Sequence, residues 1–187
     1  MIEKRDPLSS CVGGNAAFSS NGRYRYWLER RWDEARPRFT YILLNPSKAG
    51  ATDNGDRTVP KLVTMTTANG GGGFELVNLF ATMDTHQVGL HLPDAVGESP
   101  CSNDAWIVKA AQRSSTLVVV WGDGNADDVA SRGRRAAVRQ RVQEVWPLLR
   151  HRHLWCFRTI KSGAPGHPGR MRNEAGLVRY LPRDGYP

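Results

Sequence analysis

Two asparagine side chains lie at the ends of apolar runs and are candidates for the recognition of a flat heterocycle. Asn45 directly follows the apolar run 40–44, and Asn78 closes the run 74–77. A partly buried amide needs hydrogen-bond partners, and Asn offers both a donor and an acceptor to the edge of a base such as a pyrimidine. The structural alternative is a turn-forming or loop-bonding amide, so each residue is a candidate rather than an assignment.

His167 is the candidate for acid–base or charge-stabilising chemistry. It lies in a loop, residues 161–170, with basic residues on both sides. Proline restricts the backbone of this loop, and glycine allows it backbone angles that other residues rarely adopt. Such a loop can place its backbone against a phosphate while one imidazole faces a reacting group. The alternative is an ordinary surface histidine.

Three further residues are predicted to contact a substrate. Ser47 and Asp53 follow Asn45 and place a hydroxyl and a carboxylate near the same strand end, and Phe80 offers a ring for stacking. The competing interpretations are a solvated turn that caps the next helix and a core phenylalanine.

Other familiar chemistries lack their sequence signatures. His151 and His153 have no third ligand at a metal-binding spacing, so we expect no metal, and neither a P-loop, a GxGxxG fingerprint nor a GxSxG elbow is present. Cys156 lies in an apolar run that disfavours a thiolate. No cofactor is predicted.

Charge indicates a polyanionic partner. The net charge is +8, and residues 129–187 hold 13 basic and 3 acidic side chains, which leaves the rest of the chain slightly acidic. Arg158, Lys161, Arg170 and Arg172 flank His167 and are predicted to bind single- or double-stranded DNA, or a nucleotide, by displacing counterions from phosphates. An arginine-rich surface without a partner is the alternative.

Composition indicates one globular domain. With 187 residues, 40% hydrophobic and 24% charged, the chain is predicted to form a single α/β domain over residues 1–187, with residues 1–36 packed on it as an edge segment. Three cysteines without a CxxC pair and the lack of a long apolar stretch predict a cytoplasmic protein with no membrane role. Its oligomeric state is left open.

The period of the apolar residues predicts an α/β fold with a central, mostly parallel sheet. Strands are predicted at 40–44, 74–77, 116–121 and 153–157, and helices at 58–69, 102–114 and 129–149. Because binding residues gather at the carboxyl ends of parallel strands, Asn45, Asn78, the segment 122–124 and the segment 158–169 should lie along one edge.

Short motifs along most of the chain resemble a bacterial and phage family catalogued as domain of unknown function 1643. They are Tyr24-x-Tyr26 to Trp32, the segment 43–49, Thr52-Asp53, the segment 77–81, Val96-Gly97, Asn103-Asp104, Trp121-Gly122 and the segment 166–168. The resemblance implies no established activity.

The order strand-Asn-Pro, strand-Asn, strand-Trp-Gly, loop-His-Pro is similar to that of the uracil-DNA glycosylase superfamily. This resemblance implies a three-layer α/β/α sandwich in which Asn45 holds the attacking water, Asn78 reads the base and His167 steadies charge on the departing base. It also implies that residues 168–172 enter the minor groove and help flip the nucleotide.

The sequence departs from that superfamily at three places. Asn45 stands where Asp is expected, Ser47 replaces Gly or Tyr, and Gly169-Arg170 replaces Ser-Pro. An amide orients a water but takes no proton from it. The leading hypothesis is a glycosylase-like enzyme that cleaves or modifies a flipped base. The alternatives are a non-catalytic module that binds a nucleotide or modified base, and a small-molecule hydrolase.

Overall fold

A computed structural model of the chain describes residues 12–13, 16–47, 57–84, 87, 89–90, 92–98, 102–124 and 131–182. The strands are β1 (Val12–Gly13), β2 (Ala16–Phe18), β3 (Arg25–Arg31), β4 (Arg38–Leu43), β5 (Gly73–Asn78), β6 (Thr116–Val119), β7 (Leu154–Cys156) and β8 (Val178–Arg179). The helices are α1 (Thr58–Ala68), α2 (Asn103–Arg113) and α3 (Ser131–Leu149), with short 3₁₀ turns at Pro93–Val96 and Pro168–Arg170.

The strands form one mixed sheet in the order β1-β2-β3-β5-β4-β6-β7-β8. The neighbours β5, β4, β6 and β7 pair in parallel, whereas β1, β2 and β3 on one side and β8 on the other pair antiparallel. The predicted α/β class and the three helices are confirmed. The prediction of a mostly parallel sheet holds only for the central four strands, because β3, within the predicted edge segment, pairs antiparallel with β5 and the short strand β8 adds a further antiparallel pair.

Helices cover both faces of the central strands. Along β4, Tyr41 and Leu43 pack in the same cluster as Leu62 of α1, while Ile42 packs in the cluster that holds Ile107 of α2 and residues of α3. Successive side chains of a strand point to opposite faces, so the near-continuous apolar run of β4 is what two covering layers require. The closer likeness to a glycosylase sandwich stays a prediction.

The connections create a switch point between β4 and β6. The chain passes from β4 through α1 to β5 on one side, then through α2 on the other face to β6, which pairs with the opposite side of β4. The connections that follow β4 and β6 therefore diverge from the same edge of the sheet, and a crevice opens between them. None of the helices in the described part of the chain is long and apolar enough to cross a membrane.

A buried carboxylate fixes the middle of β5. Glu75 is 1% exposed, and its oxygens lie 3.1 Å from Nη1 of Arg38 and 2.8 Å from Nη2 of Arg113. Arg38 also pairs with Glu29 of β3 at 2.8 Å. A buried charge is tolerated when it is paired in this way, so the cluster joins β3, β4, β5 and the end of α2.

Replacing this carboxylate should therefore weaken the fold. We expect Glu75→Gln to lower the free energy of unfolding by about 2 kcal/mol, because it keeps the volume but removes the charge between two arginines. Glu34→Gln is the matched control: that carboxylate is 87% exposed beside Arg31, and its loss should change stability by less than about 0.5 kcal/mol. Urea denaturation measures both, and equal effects would contradict the role given to Glu75.

Candidate functional site

A cavity of about 220 Å³ opens at the carboxyl ends of β4 and β6, at the switch point of the sheet. Its floor and walls come from the residue after β4, residues 121–124 in the segment after β6 and the loop after β7. The described lining residues are Leu44, Gln87, Trp121, Gly122, Asp123, Gly124, Arg158, Ile160, His167 and Arg170. Ligands of open α/β sheets bind in this position, which makes the cavity the candidate site.

Two glycines shape the wall that follows β6. Gly122 and Gly124 have φ angles of 71° and 70°, in the left-handed region that other residues rarely adopt. The amide of Gly122 donates to the carbonyl oxygen of Pro165 at 2.9 Å, and a Cβ on Gly122 would lie 3.7 Å from Cβ of His167. The end of β6 is thus joined directly to the histidine loop.

The loop after β7 is closed by its own backbone. The amide of Gly166 donates to the carbonyl of Arg158 at 2.9 Å, and Thr159 and Pro165 form an antiparallel bridge. A side chain on Gly166 would collide with the methyl group of Met171. The loop that carries His167 is therefore fixed at both ends.

The orientation of the His167 ring is also fixed. His167 caps the 3₁₀ turn Pro168–Arg170, and its Nδ1 accepts a hydrogen bond from the amide of Gly169 at 3.1 Å. Because Nδ1 is the acceptor, the neutral ring carries its proton on Nε2. The imidazole is thus arranged to donate a hydrogen bond from Nε2.

Helix α1 holds this loop from one face of the sheet. Nζ of Lys61 donates to the carbonyl of Met171 at 2.5 Å. Farther along α1, the side chain of Asn69 donates to the carbonyl of Ala175 at 3.0 Å and accepts from the amide of Leu177 at 3.2 Å. The segment that follows His167 is therefore attached to α1 at two points.

The cavity is cationic. Arg158 and Arg170 are exposed, and neither guanidinium makes an ion pair or hydrogen bond with a residue that the structure describes. Asp123 is the one carboxylate among the described lining residues. Lys161 and Arg172 are exposed on the same loop but outside the lining. Unpaired guanidinium groups at the mouth of a crevice attract anions.

Asn45 lies beside the cavity, next to the lining residue Leu44. It is partly buried, and its Nδ2 donates to the carbonyls of Asp84 at 2.6 Å and Pro46 at 3.2 Å. These bonds attach the end of β4 to the segment after β5, and they assign Oδ1 as the acceptor of this amide. An oxygen so placed can accept a hydrogen bond from a water but cannot remove its proton.

Asn78 is buried one strand away, at the end of β5. It is 1% exposed, and neither Nδ2 nor Oδ1 makes a hydrogen bond with the residues that the structure describes. In β5 it alternates with Phe74 and Leu76, which pack toward α1, so its side chain faces that layer. Asn78 is not among the described lining residues of the cavity.

Two buried polar side chains hold the backbone at this strand end. Nδ2 of Asn103 donates to the carbonyls of Asn78 and Leu79, both at 2.9 Å. Nε of Arg141, a residue 4% exposed on α3, donates to the carbonyl of Leu79 at 2.8 Å and its Nη atoms pair with Asp104 and Glu144. Helices α2 and α3 thus both fix the peptide that follows Asn78.

The remaining predicted substrate contacts are placed differently. Phe80 is 4% exposed and packs in the core cluster with Leu44 and Leu90, while Ser47 is partly buried at the end of the described segment after β4. Asp53 lies outside the described residues. The structure therefore brings together His167, Arg158 and Arg170, with Asn45 adjacent.

Other candidate chemistries receive little support from the geometry. His151 and His153 precede β7 and lie at the amino edge of the sheet, away from the cavity, and the described residues contain no group of three or more potential metal ligands. Burial raises the pKa of the Cys156 thiol, against a smaller opposing effect of its hydrogen bond with Thr159. That thiol therefore favours its uncharged form.

Sequence reasoning missed two of the polar groups near the site. Gln87 gave no signal, because it belongs to an irregular segment without periodicity. Arg141 is one of several arginines on α3 and is the buried one among those whose side chains the structure describes. Its position beside Val138, Val142 and Val145 on the apolar stripe was the only sign of burial.

Comparison with known proteins identifies a family but no activity. Residues 25–169 match the model of a family described as "Protein of unknown function (DUF1643)". No curated protein and no solved structure matches the chain.

The anchoring role of Arg141 can be measured. We expect Arg141→Leu to lower the free energy of unfolding by about 3 kcal/mol, since it removes charge-assisted hydrogen bonds from a buried position. Arg139→Leu, the same change at an exposed position of α3, should cost less than about 0.5 kcal/mol. Urea denaturation compares the two, and an equal loss would show that the bonds to Leu79 and the carboxylates add nothing.

Proposed function

Because the chain belongs to the DUF1643 family, whose description assigns no reaction, we propose its function from its own site: it binds DNA and acts on one base. One nucleotide enters the crevice between β4 and β6, and the enzyme hydrolyses its N-glycosidic bond. The observation that carries the proposal is the joint position of His167, Arg158 and Arg170 in the cavity at the switch point.

The cavity has the size and charge for a nucleotide. Its volume of about 220 Å³ is below the roughly 300–1,000 Å³ of sites that hold drug-sized ligands, which favours a single base with part of its sugar. Arg158 and Arg170, which have no side-chain partner among the described residues, suit phosphate oxygens, which accept bidentate hydrogen bonds from a guanidinium. Leu44, Trp121 and Ile160 supply apolar surface for the ring.

The order of motifs along the sheet also supports a glycosylase-like reaction. Asn45 follows β4, Asn78 ends β5, Trp121-Gly122 follows β6 and His167-Pro168 follows β7, which is the motif order of the uracil-DNA glycosylase resemblance. Since these strands are parallel, all four motifs lie toward one edge. The proposal includes what that resemblance implies. The fold is a three-layer sandwich, Asn45 holds the attacking water and Asn78 reads the base.

The proposed reaction is the hydrolysis of the N-glycosidic bond by one water molecule. The bond between C1′ and the base nitrogen breaks, and the base leaves with the electron pair while the water oxygen bonds to C1′. Nε2 of His167 donates a hydrogen bond to the base oxygen on which negative charge develops. Oδ1 of Asn45 orients the water, whose surplus proton leaves to solvent and finally neutralises the base.

A non-catalytic binding module is the second candidate, and one feature favours it. The amide of Asn45 takes no proton from water, and Asp123 is the only carboxylate among the described residues that line the cavity. The same arginines and imidazole then hold a nucleotide or modified base without breaking a bond. Both candidate functions predict DNA binding, but only the glycosylase predicts release of a base.

DNA affinity should depend on the two lining arginines. We expect Arg158→Ala/Arg170→Ala to weaken binding to a single-stranded oligonucleotide at least ~10-fold and to reduce the slope of log affinity against log salt by about 1.5. Fluorescence anisotropy over a salt series measures both.

The charge-matched control is Arg36→Ala/Arg150→Ala, two exposed arginines near the amino edge of the sheet. It should leave affinity within about 2-fold of the parent protein, because neither residue adjoins the crevice. An absence of salt-sensitive DNA affinity in the parent protein would overturn the proposed function as a whole.

Base release should depend on His167. We expect the parent protein to release a base from at least one member of a panel of oligonucleotides with diverse natural and modified bases, detected as alkali-labile sites. His167→Ala should slow release by roughly 100-fold or more while DNA affinity changes less than about 3-fold. His151→Ala is the control and should match the parent protein. DNA binding without release from any base would replace the glycosylase with the binding module.

A further inference from the structure

We infer that Arg134 on α3 is a second phosphate-binding position, on the opposite side of the crevice from Arg170, and that the ligand is therefore a nucleic-acid strand rather than a free nucleotide. The inference rests on the proposed binding of DNA. It concerns a residue outside the lining of the cavity and outside the basic loop around His167.

The stem of Arg134 packs against the cavity wall. A Cβ on Gly124 would lie 3.3 Å from Cγ and 3.6 Å from Cδ of Arg134, and 3.0 Å from a methyl group of Val138. Gly124 itself lines the cavity. The absence of a side chain at Gly124 thus gives the stem of Arg134 room to lie directly behind the cavity wall.

Within the part of the chain that the structure describes, Arg134 lacks the partners that Arg141 has on the same helix. Its Nε is buried and makes no hydrogen bond with any residue that the structure describes. Arg141, about two helical turns farther on, has Leu79, Asp104 and Glu144 as partners. Arg134 as a whole is only partly buried, so a phosphate oxygen outside the wall can form a charge-assisted bond with its guanidinium.

The two cationic sides belong to different layers of the fold. Arg170 lies in the 3₁₀ turn that packs against α1, whereas α3 covers the opposite face of the sheet. A free nucleoside monophosphate carries phosphate on one side of its sugar only. A strand carries phosphates on both sides of each sugar, so it can occupy Arg170 and Arg134 together while one nucleotide enters between them.

Helix direction supplies an internal control. Helix α3 starts near the cavity edge of the sheet and ends near the amino end of β7, so Arg134 and Arg150 lie about 24 Å apart along its axis. Arg150 is exposed and has the same charge. A diffuse effect of helix charge would involve both residues, whereas a phosphate contact would involve only Arg134.

The test is a salt series with a single-stranded oligonucleotide, measured by fluorescence anisotropy on the full chain. We expect Arg134→Ala to weaken binding about 3- to 10-fold and to reduce the salt slope by about 0.7, the value of one phosphate contact on a single strand. Arg150→Ala should keep the slope of the parent protein. Arg134→Lys keeps the charge and should retain most of the slope, whereas Arg134→Gln removes the charge with a longer side chain than Ala and replaces Arg134→Ala if that variant unfolds.

A deoxynucleoside monophosphate, measured by calorimetry, separates the strand from the free nucleotide. Arg134→Ala should leave its affinity unchanged, whereas a loss as large as that for the oligonucleotide would overturn the assignment of a second phosphate. Equal salt slopes for Arg134→Ala and Arg150→Ala would overturn the inference and leave DNA binding intact. No salt-sensitive affinity in the parent protein would instead remove the proposed function together with the inference.

Discussion

The central position of β4 is the constraint on which the rest of the structure depends. This strand pairs in parallel with β5 on one side and β6 on the other, so its hydrogen bonds are used along both edges. Parallel neighbours need crossover connections, and here those connections cover opposite faces. The opening at the carboxyl end of β4 follows from that topology, and the side chains after the strands decide what it can bind.

Buried polar side chains near this opening stabilise the backbone by hydrogen bonds. Asn103 and Arg141 bind carbonyl oxygens at the end of β5, where the ladder of the sheet stops and main-chain acceptors would otherwise lack donors. The same strand end holds Asn78, whose amide has no partner among the described residues.

The regular elements could be predicted because their signals are local. The helices at 58–69, 102–114 and 129–149 and the four central strands were predicted from period and composition, and the ends of α1 and α2 are within one residue of those expected. Strand β3 mixes charged and apolar residues, and its place beside β5 depends on nonlocal pairing. The link of His167 to Gly122 arises from a tertiary contact that no sequence period encodes, and the apolar stripe of α3 indicates the burial of Arg141 without identifying its partners.

The bond between Lys61 and the carbonyl of Met171 gives the two sides of the crevice separate mechanical supports. The histidine loop is bonded to α1, whereas Gly124 packs against Arg134 and Val138 of α3, so helices on opposite faces of the sheet hold the two sides of the entrance. A molecule that spans both sides would cross-link the two outer layers. Its arrival would then slow amide hydrogen exchange in α1 and α3 together, although the two helices lie on opposite faces of the sheet.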